Sequence, residues 1–367
     1  MSIKCSELIK FMEEFAPVNL AEDYDNVGLL IGSRNQDIKK VLVCLDVTSK
    51  VVEEALEKKA DLIVSHHPII FRGIKRINEE DPKGSVIYKL IRNGIGVYSA
   101  HTNMDFTNGG INDTLAKLIG LNNIRNLRNH KAEKLFKVVV FVPEQNADAL
   151  REAMCGAGAG WIGNYSDCSF MVKGTGTFKP LKGTNPYIGS EGNLEKVGEY
   201  RLETIVPQDR LKKVVDAMLE AHPYEEAAYD VYPMELSYKE YGFGKVGALN
   251  EVRSLDGFIS IVKEKLNVGN VRVIGSAKNG VKNVAVFCGS FDSSVIRSMK
   301  GVDVLLTGDM KYHDCLDAAE MGLCIIDAGH YATEHIMVPH LAELLAGRFK
   351  LLDIEASTLE ENPIKVT

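Results

Sequence analysis

Apolar residues along this chain fall into two alternating rhythms: short, nearly continuous runs, and longer stretches with apolar positions three or four apart. KKVLVCLDV (39–47) is short, β-branched and almost continuously apolar, the look of a strand buried on both faces. Thr48 or Ser49 can cap the helix that follows, VVEEALEKKA (51–60), whose apolar face is Val51, Val52, Ala55, Leu56 and Ala60. DLIVSHH (61–67) is the next strand. VIYKLIRN (86–93) is a helix that stops at Gly94, and GVYSAH (96–101) is a third strand. Strands alternating with helices of this length predict right-handed βαβ units and a parallel sheet. From about residue 245 the rhythm returns. NVAVFCGSF (283–291), VDVLLTG (302–308) and LCIIDAGH (323–330) read as strands, and SSVIRSMK, YHDCLDAAEMG and HIMVPHLAELLAG read as helices.

Between these segments lies a different unit. RNLRNHKAEK (125–134) is polar and basic and reads as a linker. Beyond it, FKVVVFVP, SDCSFMVKGTGTF, LETIVP and AAYDVYP read as strands, while NADALREAM and DRLKKVVDAMLEAH read as helices. The order β-α-β-β-α-β is that of a ferredoxin-like module. The expected fold is therefore α/β, with two related α/β layers whose strand ends converge on one site, plus an inserted ferredoxin-like α+β domain. Residues 1–128 and 245–367 make the core, and 130–240 make the insert. Such an insertion is physically easy, because the termini of a compact domain often lie close together.

The two outer segments also resemble each other. KKADLIVSHH and MKGVDVLLTGD share an Asp, apolar positions, then Ser or Thr. His101-x-x-x-Asp105 and His330-x-x-x-Glu334 each follow a predicted strand. Either a structural duplication or the limited composition of βαβ strands accounts for this.

Ligands of open α/β sheets bind beyond the carboxyl ends of the strands. Asp46, His66, His67, His101 and Asp105 stand there in the first segment, and Asp309, His330 and Glu334 in the last. Adjacent strand residues face opposite ways, so His66 and His67 serve one ion only if the strand has turned. Otherwise they serve two neighbouring ions, or form a solvated pair. His330 and Glu334, four apart, share one face if their segment is helical. Asp105 could equally cap a helix, and His101 could satisfy a carbonyl. Imidazoles and carboxylates together suit Zn, Fe, Mn or Ni better than Ca or Mg.

Composition narrows the classes. The 367 residues are 45% apolar and 25% charged, and 50 acidic against 43 basic residues leave a net charge of −7. That excludes a general electrostatic attraction to nucleic acid or anionic membranes. No apolar run is long enough to span a bilayer. The opening MSIKCSELIKFMEEF reads as an amphipathic helix and not as a signal peptide. The seven cysteines are scattered without a CxxC pair, as reduced thiols of a cytoplasmic protein would be.

Rival motifs are weaker. Gly158-Ala159-Gly160-Trp161-Ile162-Gly163 spells GxGxxG but follows a predicted helix, whereas a dinucleotide loop follows a strand; it reads as a turn. No Walker lysine or GxSxG motif occurs. Cys315, near His313 on an amphipathic helix, reads as structural. Tyr224-Glu225-Glu226 reads as a loop or as polar site residues.

DYDNVGLLIGS (23–33), LDVT (45–48), SHHPIIF (65–71), HTNMD (101–105) and GHYATE (329–334) resemble, in order, the motifs of the GTP cyclohydrolase I type 2/Nif-three-like family. Tyr24 stands where that family usually has tryptophan. GTFKP (176–180) and HPYEEAAYDVYP (222–233) are similar to the PII- and CutA-like insert of its longer bacterial members. The resemblance implies a dinuclear centre held by His66, His67, Asp105, His330 and Glu334, with two divalent ions per subunit. Zinc comes first, with iron, manganese or nickel as alternatives. It also implies a toroidal homohexamer, a small-molecule substrate and a hydrolase that uses metal-activated water. A metal-binding regulatory or scaffold hexamer, with the insert as ligand sensor, is the alternative. His101 lies outside the implied ligand set. Its register mirrors that of His330, and it is expected to face the metals' water or the substrate as a general acid.

Overall fold

The computed structural model describes residues 2–365. They divide into two compact units: one built from the chain up to Lys131 and from Tyr241 onward, the other from Ala132–Glu240.

The first unit is mixed α/β and, besides the short pair Ile3–Lys4 and Asp37–Ile38, holds strands of two larger sheets. In one, the strands run in the order Asp353–Ala356, Lys40–Cys44, Leu62–Ser65, Gly96–Ser99 and Gly28–Ile31. The first four are parallel and the last is antiparallel. Leu62–Ser65 and Gly96–Ser99 are buried along their whole length, as their unbroken apolar runs require. In the other sheet, Val281–Ser290, Val304–Gly308 and Ile325–Asp327 are parallel neighbours. Arg272–Ile274 and the end of Tyr229–Arg253 flank them antiparallel.

Local signals set the helices between these strands. The Thr48 side chain accepts from the Val51 amide to open Ser49–Glu57. Asp81 accepts from Gly84 N, with Pro82 at the first turn of Pro82–Arg92, and Gly94 beyond its end has φ +69°. One apolar interior joins Val43, Val64 and Tyr98 of the first sheet to Val284, Val286 and Leu306 of the second, with Leu8, Ile9 and Met12 of helix Cys5–Phe15. Each such side chain contributes about 1.5–3 kcal/mol by leaving water. Both sheets are thereby held to one core, and their carboxyl edges come to one rim.

The second unit follows strand, helix, strand, strand, helix, strand. Leu135–Pro143, inside Asn122–Pro143, pairs antiparallel with Glu195–Pro207, which pairs antiparallel with Ser169–Phe178. Helices Ala147–Gly156 and Leu211–Ala221 bury Leu150, Met154, Val214 and Met218 against Val138, Val140 and Leu202.

Three sequence readings change. RNLRNHKAEK is not a linker but part of the continuous strand Asn122–Pro143. Its charges stay largely exposed while Leu127 is buried, and strand pairing needs backbone groups, not apolar side chains on both faces. The strand that begins near AAYDVYP likewise continues to Arg253. SSVIRSMK forms only the 3₁₀ turn Ser293–Ser298, because Asp292 accepts from Ser294 N and its three serines favour local backbone bonding over an α-helix. Gly158, Gly160 and Gly163 all have positive φ and lie in turns after helix Ala147–Gly156. That leaves no strand–loop–helix for a phosphate.

Candidate metal centre

Past the end of Leu62–Ser65 the chain bends at His66 and His67, and two consecutive amides face the neighbouring strand: His66 N donates to Cys44 O (3.1 Å) and His67 N to Leu45 O (2.9 Å). The strand has turned, and both rings come to one site, with centroids 5.0 Å apart. They straddle one carboxylate, that of Glu334. His67 Nε2 is 3.0 Å from Glu334 Oε2, and His66 Nε2 is 3.8 Å from Glu334 Oε1. His330 and Glu334 share a face of the helix His330–His335, and His330 Nε2 lies 2.9 Å from Oε2. Asp105, on the short helix Thr102–Phe106, brings Oδ1 to 3.7 Å from His66 Nε2. One ligand atom each of His66, His67 and His101 lies within 4.8 Å of the others, as does one each of His67, His330 and Glu334. Donors about 2.0–2.1 Å from a tetrahedral ion stand roughly 3.3 Å apart, so these separations suit ligands around a cation.

The far nitrogens are all engaged. His66 Nδ1 donates to Ala100 O (2.9 Å), His67 Nδ1 to Asp46 Oδ1 (2.9 Å), His101 Nδ1 to Asp25 Oδ1 (2.8 Å) and His330 Nδ1 to Asp309 Oδ2 (2.9 Å). Because every partner is an acceptor, each Nδ1 carries a proton and each Nε2 is the nitrogen left for a ligand bond. Metal-binding histidines are oriented in this way by carboxylates and carbonyls. His66 Nε2, His330 Nε2, Asp105 Oδ1 and Glu334 Oε2 are buried without a hydrogen-bond partner. Buried acceptors crowded together need either protons or a cation between them.

Charge tells the same story. Burial, and then the nearby Glu334, push the Asp105 carboxyl well above its ordinary range. Burial also disfavours the Glu334 anion, but contacts with His330, His66 and His67 hold it well below the usual carboxylate value. Burial pulls His67 down, yet Asp46 and Glu334 carry it up to about 10. His330, opposed by burial and supported by Glu334 and Asp309, reaches about 8. Burial lowers His66. Protons on His67 and His330 balance the Glu334 anion. A first-row divalent ion supplies the same positive charge to the same atoms, and the donor set fits one.

Several parts of the site carried no assigned role in the sequence. Asp25 not only accepts from His101 but takes the Thr102 amide at 3.0 Å. Burial opposes its charge, while His101 and Thr102 bring it down to about 2. Asp46 and Asp309 stood at strand ends without a stated purpose, and a signal for both was present. His67 follows Asp46, and His330 follows Asp309, by the same 21 residues. Gly289 (φ +70°) lies so close that a Cβ there would stand 2.0 Å from Glu334 Oε1, and one on Gly308 would stand 2.8 Å from His330 N. Their signal was the repeated glycine at the carboxyl end of each strand, in FCGS and LTGD. His313 lies on helix Tyr312–Glu320 and is in neither ligand group.

Fold and site together define a mixed α/β protein with a group of imidazoles and buried carboxylates that could hold a metal. The family description Duf34/NIF3 (NGG1p interacting factor 3) matches residues 3–363, and the chain belongs to that family. It is 44% identical over 337 residues to a Bacillus subtilis protein named GTP cyclohydrolase 1 type 2 homolog, covering 92% of this chain and 90% of that one. A Staphylococcus epidermidis protein of the same name is 39% identical over 368 residues, 99% of this chain and all (100%) of its own. The crystal structure of a Bacillus cereus protein related to NIF3 matches with TM-score 0.91 at 42% identity, over 100% of this chain and 99% of that one. The resemblance read from five motifs thus extends over nearly the whole chain, middle segment included. Among the described residues, no helix is long and apolar enough to cross a membrane.

Proposed function

We propose that this protein is a metal-dependent hydrolase whose dinuclear centre is held by His66, His67, Asp105, His330 and Glu334. The observation that carries the reading is the division of Glu334: Oε1 faces His66, whose Nε2 also meets Asp105, and Oε2 faces His67 and His330. One carboxylate between two donor groups is the arrangement of a bridging ligand. When bound, such ions supply Lewis-acid charge that acidifies water and polarises a substrate oxygen. The protein's part is to hold the donors rigid. Asp46, Asp309 and Ala100 O keep Nδ1 protonated and each Nε2 aimed inward. His101, its Nδ1 tied to Asp25, is left with Nε2 to take a proton from the attacking water and pass it to the leaving group.

Zinc is the first metal to test, then iron, manganese and nickel. The name borne by relatives makes GTP the first substrate to test. The reading includes a homohexamer and a ferredoxin-like insert. Protein purified without chelator should contain about two divalent ions per chain and hydrolyse GTP or a member of a phosphoester panel. Fully loaded protein that turns over none of them sinks the hydrolase reading and favours a regulatory metalloprotein.

A further inference from the structure

The Ala132–Glu240 unit contains a cavity of about 790 Å³, within the range of small-ligand sites. Its lining includes strand residues 172–178, the aromatic rings of Phe178, Tyr187 and Tyr224, and the carboxylate of Glu199. The Phe178 and Tyr224 rings are 5.5 Å apart and those of Tyr187 and Tyr224 are 6.2 Å apart, each pair tilted. Glu199 is only 6% exposed. Its Oε1 accepts from the Tyr224 hydroxyl at 2.8 Å. A Cβ on Gly176 would stand 2.0 Å from Oε2, so glycine at that position makes room for the carboxylate. Tyr224 is in turn fixed by His222, whose Nδ1 accepts from Tyr224 N (3.1 Å) while Nε2 donates to Phe141 O (2.9 Å).

The lining carries Lys173, Lys179 and Arg201 beside Glu199, Glu225 and Glu226, and they are unevenly paired. Lys173 bonds Glu144 at 2.8 Å and Arg201 lies 3.5 Å from Glu203. Among the described residues, no ion pair joins Glu199 to a lysine or arginine. A buried carboxylate without a cation is costly. Aromatic faces around it attract positive charge for their own reason, the ring quadrupole. Both features select the same ligand.

We propose that this cavity is a binding site for a small organic cation. The cationic head meets Glu199, and its carbon body lies against Phe178, Tyr187 and Tyr224. The site stands independently of the metal centre.

The test is calorimetric titration of the full-length protein with benzamidine and agmatine, against the uncharged benzamide and the anionic benzoate. The cations should bind saturably, and benzamide and benzoate about 10-fold more weakly or not at all. Glu199→Gln, which keeps the shape and removes the charge, should weaken benzamidine by about 10-fold or more without changing metal content. Tyr187→Ala, at the exposed rim, should weaken it several-fold with the circular dichroism unchanged. If Glu199→Gln does not fold, the Tyr187 variant decides. No binding of either cation at millimolar concentration overturns the proposal. So does benzamide or benzoate binding as tightly as benzamidine, or full affinity in a folded variant.

Discussion

Glu334 is the residue on which the centre turns, because three imidazoles face its two oxygens. Glu334→Gln keeps size and shape but removes the negative charge, so it should lose at least one ion while the fold is retained. His313→Gln, away from both ligand groups, should change neither metal content nor activity; equal metal loss in both variants would refute the ligand assignment. The aspartates behind the imidazoles give a graded effect. Asp309→Asn replaces a charged acceptor by a neutral one behind His330 Nδ1, and metal affinity should fall by about 10–100-fold in a chelator competition. His101→Asn separates two roles. With both ions bound and turnover down ~100-fold or more, His101 is the acid–base group. A lost ion would make it a ligand, a role its hydrogen bond to Asp25 equally permits.

At the scale of elements, short pieces are placed by what anchors their ends. The residues after strand Asp353–Ala356 are tied to helix Ser49–Glu57 through one buried side chain. Glu54 accepts from the Thr358 amide and hydroxyl, both at 3.0 Å, as well as from Ser357. Lys58 lies 2.9 Å away. Burial opposes the Glu54 anion, but these donors hold it at about 2, against 4.5 for an ordinary glutamate. A carboxyl depressed on folding stabilises above its unfolded value, and that contribution is lost as pH falls through its folded one. Glu54→Gln should therefore destabilise by on the order of 1–3 kcal/mol near neutrality, with the deficit shrinking between about pH 4.5 and 2. Urea midpoints of the two proteins across that range check it. A deficit unchanged by acid would assign the effect to packing.

For the whole molecule, the two units have separate interiors. The cluster around Val138, Leu150, Leu202 and Met218 draws only on residues of Ala132–Glu240, and the clusters that support the rim draw none from it. Excising 132–240 and joining Lys131 to Tyr241 through a short flexible linker should leave a folded protein with unchanged metal content and most of its turnover. Loss of metal on excision would mean that the insert helps to build the centre.

Much of this protein is local, and its sequence determines that much unaided. Continuous apolar runs place the strands at 40–44, 62–65 and 96–99, and helix signals such as Thr48, Asp81 and Gly94 act over three or four residues. The histidines and carboxylates at the strand ends were legible because parallel strands send their carboxyl ends to one edge. Tertiary structure decided the rest, since it depends on groups far apart in the chain. Asp25 reaches His101 across 76 residues, and Asn112 accepts from the Cys288 amide across 176. Strand Asn122–Pro143 is hydrogen-bonded beside Tyr229–Arg253, far along the chain, and the polar, basic stretch is strand there. Which oxygen of Glu334 meets which imidazole, and that Gly289 must lack a Cβ to admit it, are fixed only when both sheets close on one core. No local pattern encodes a distance between two separately built edges.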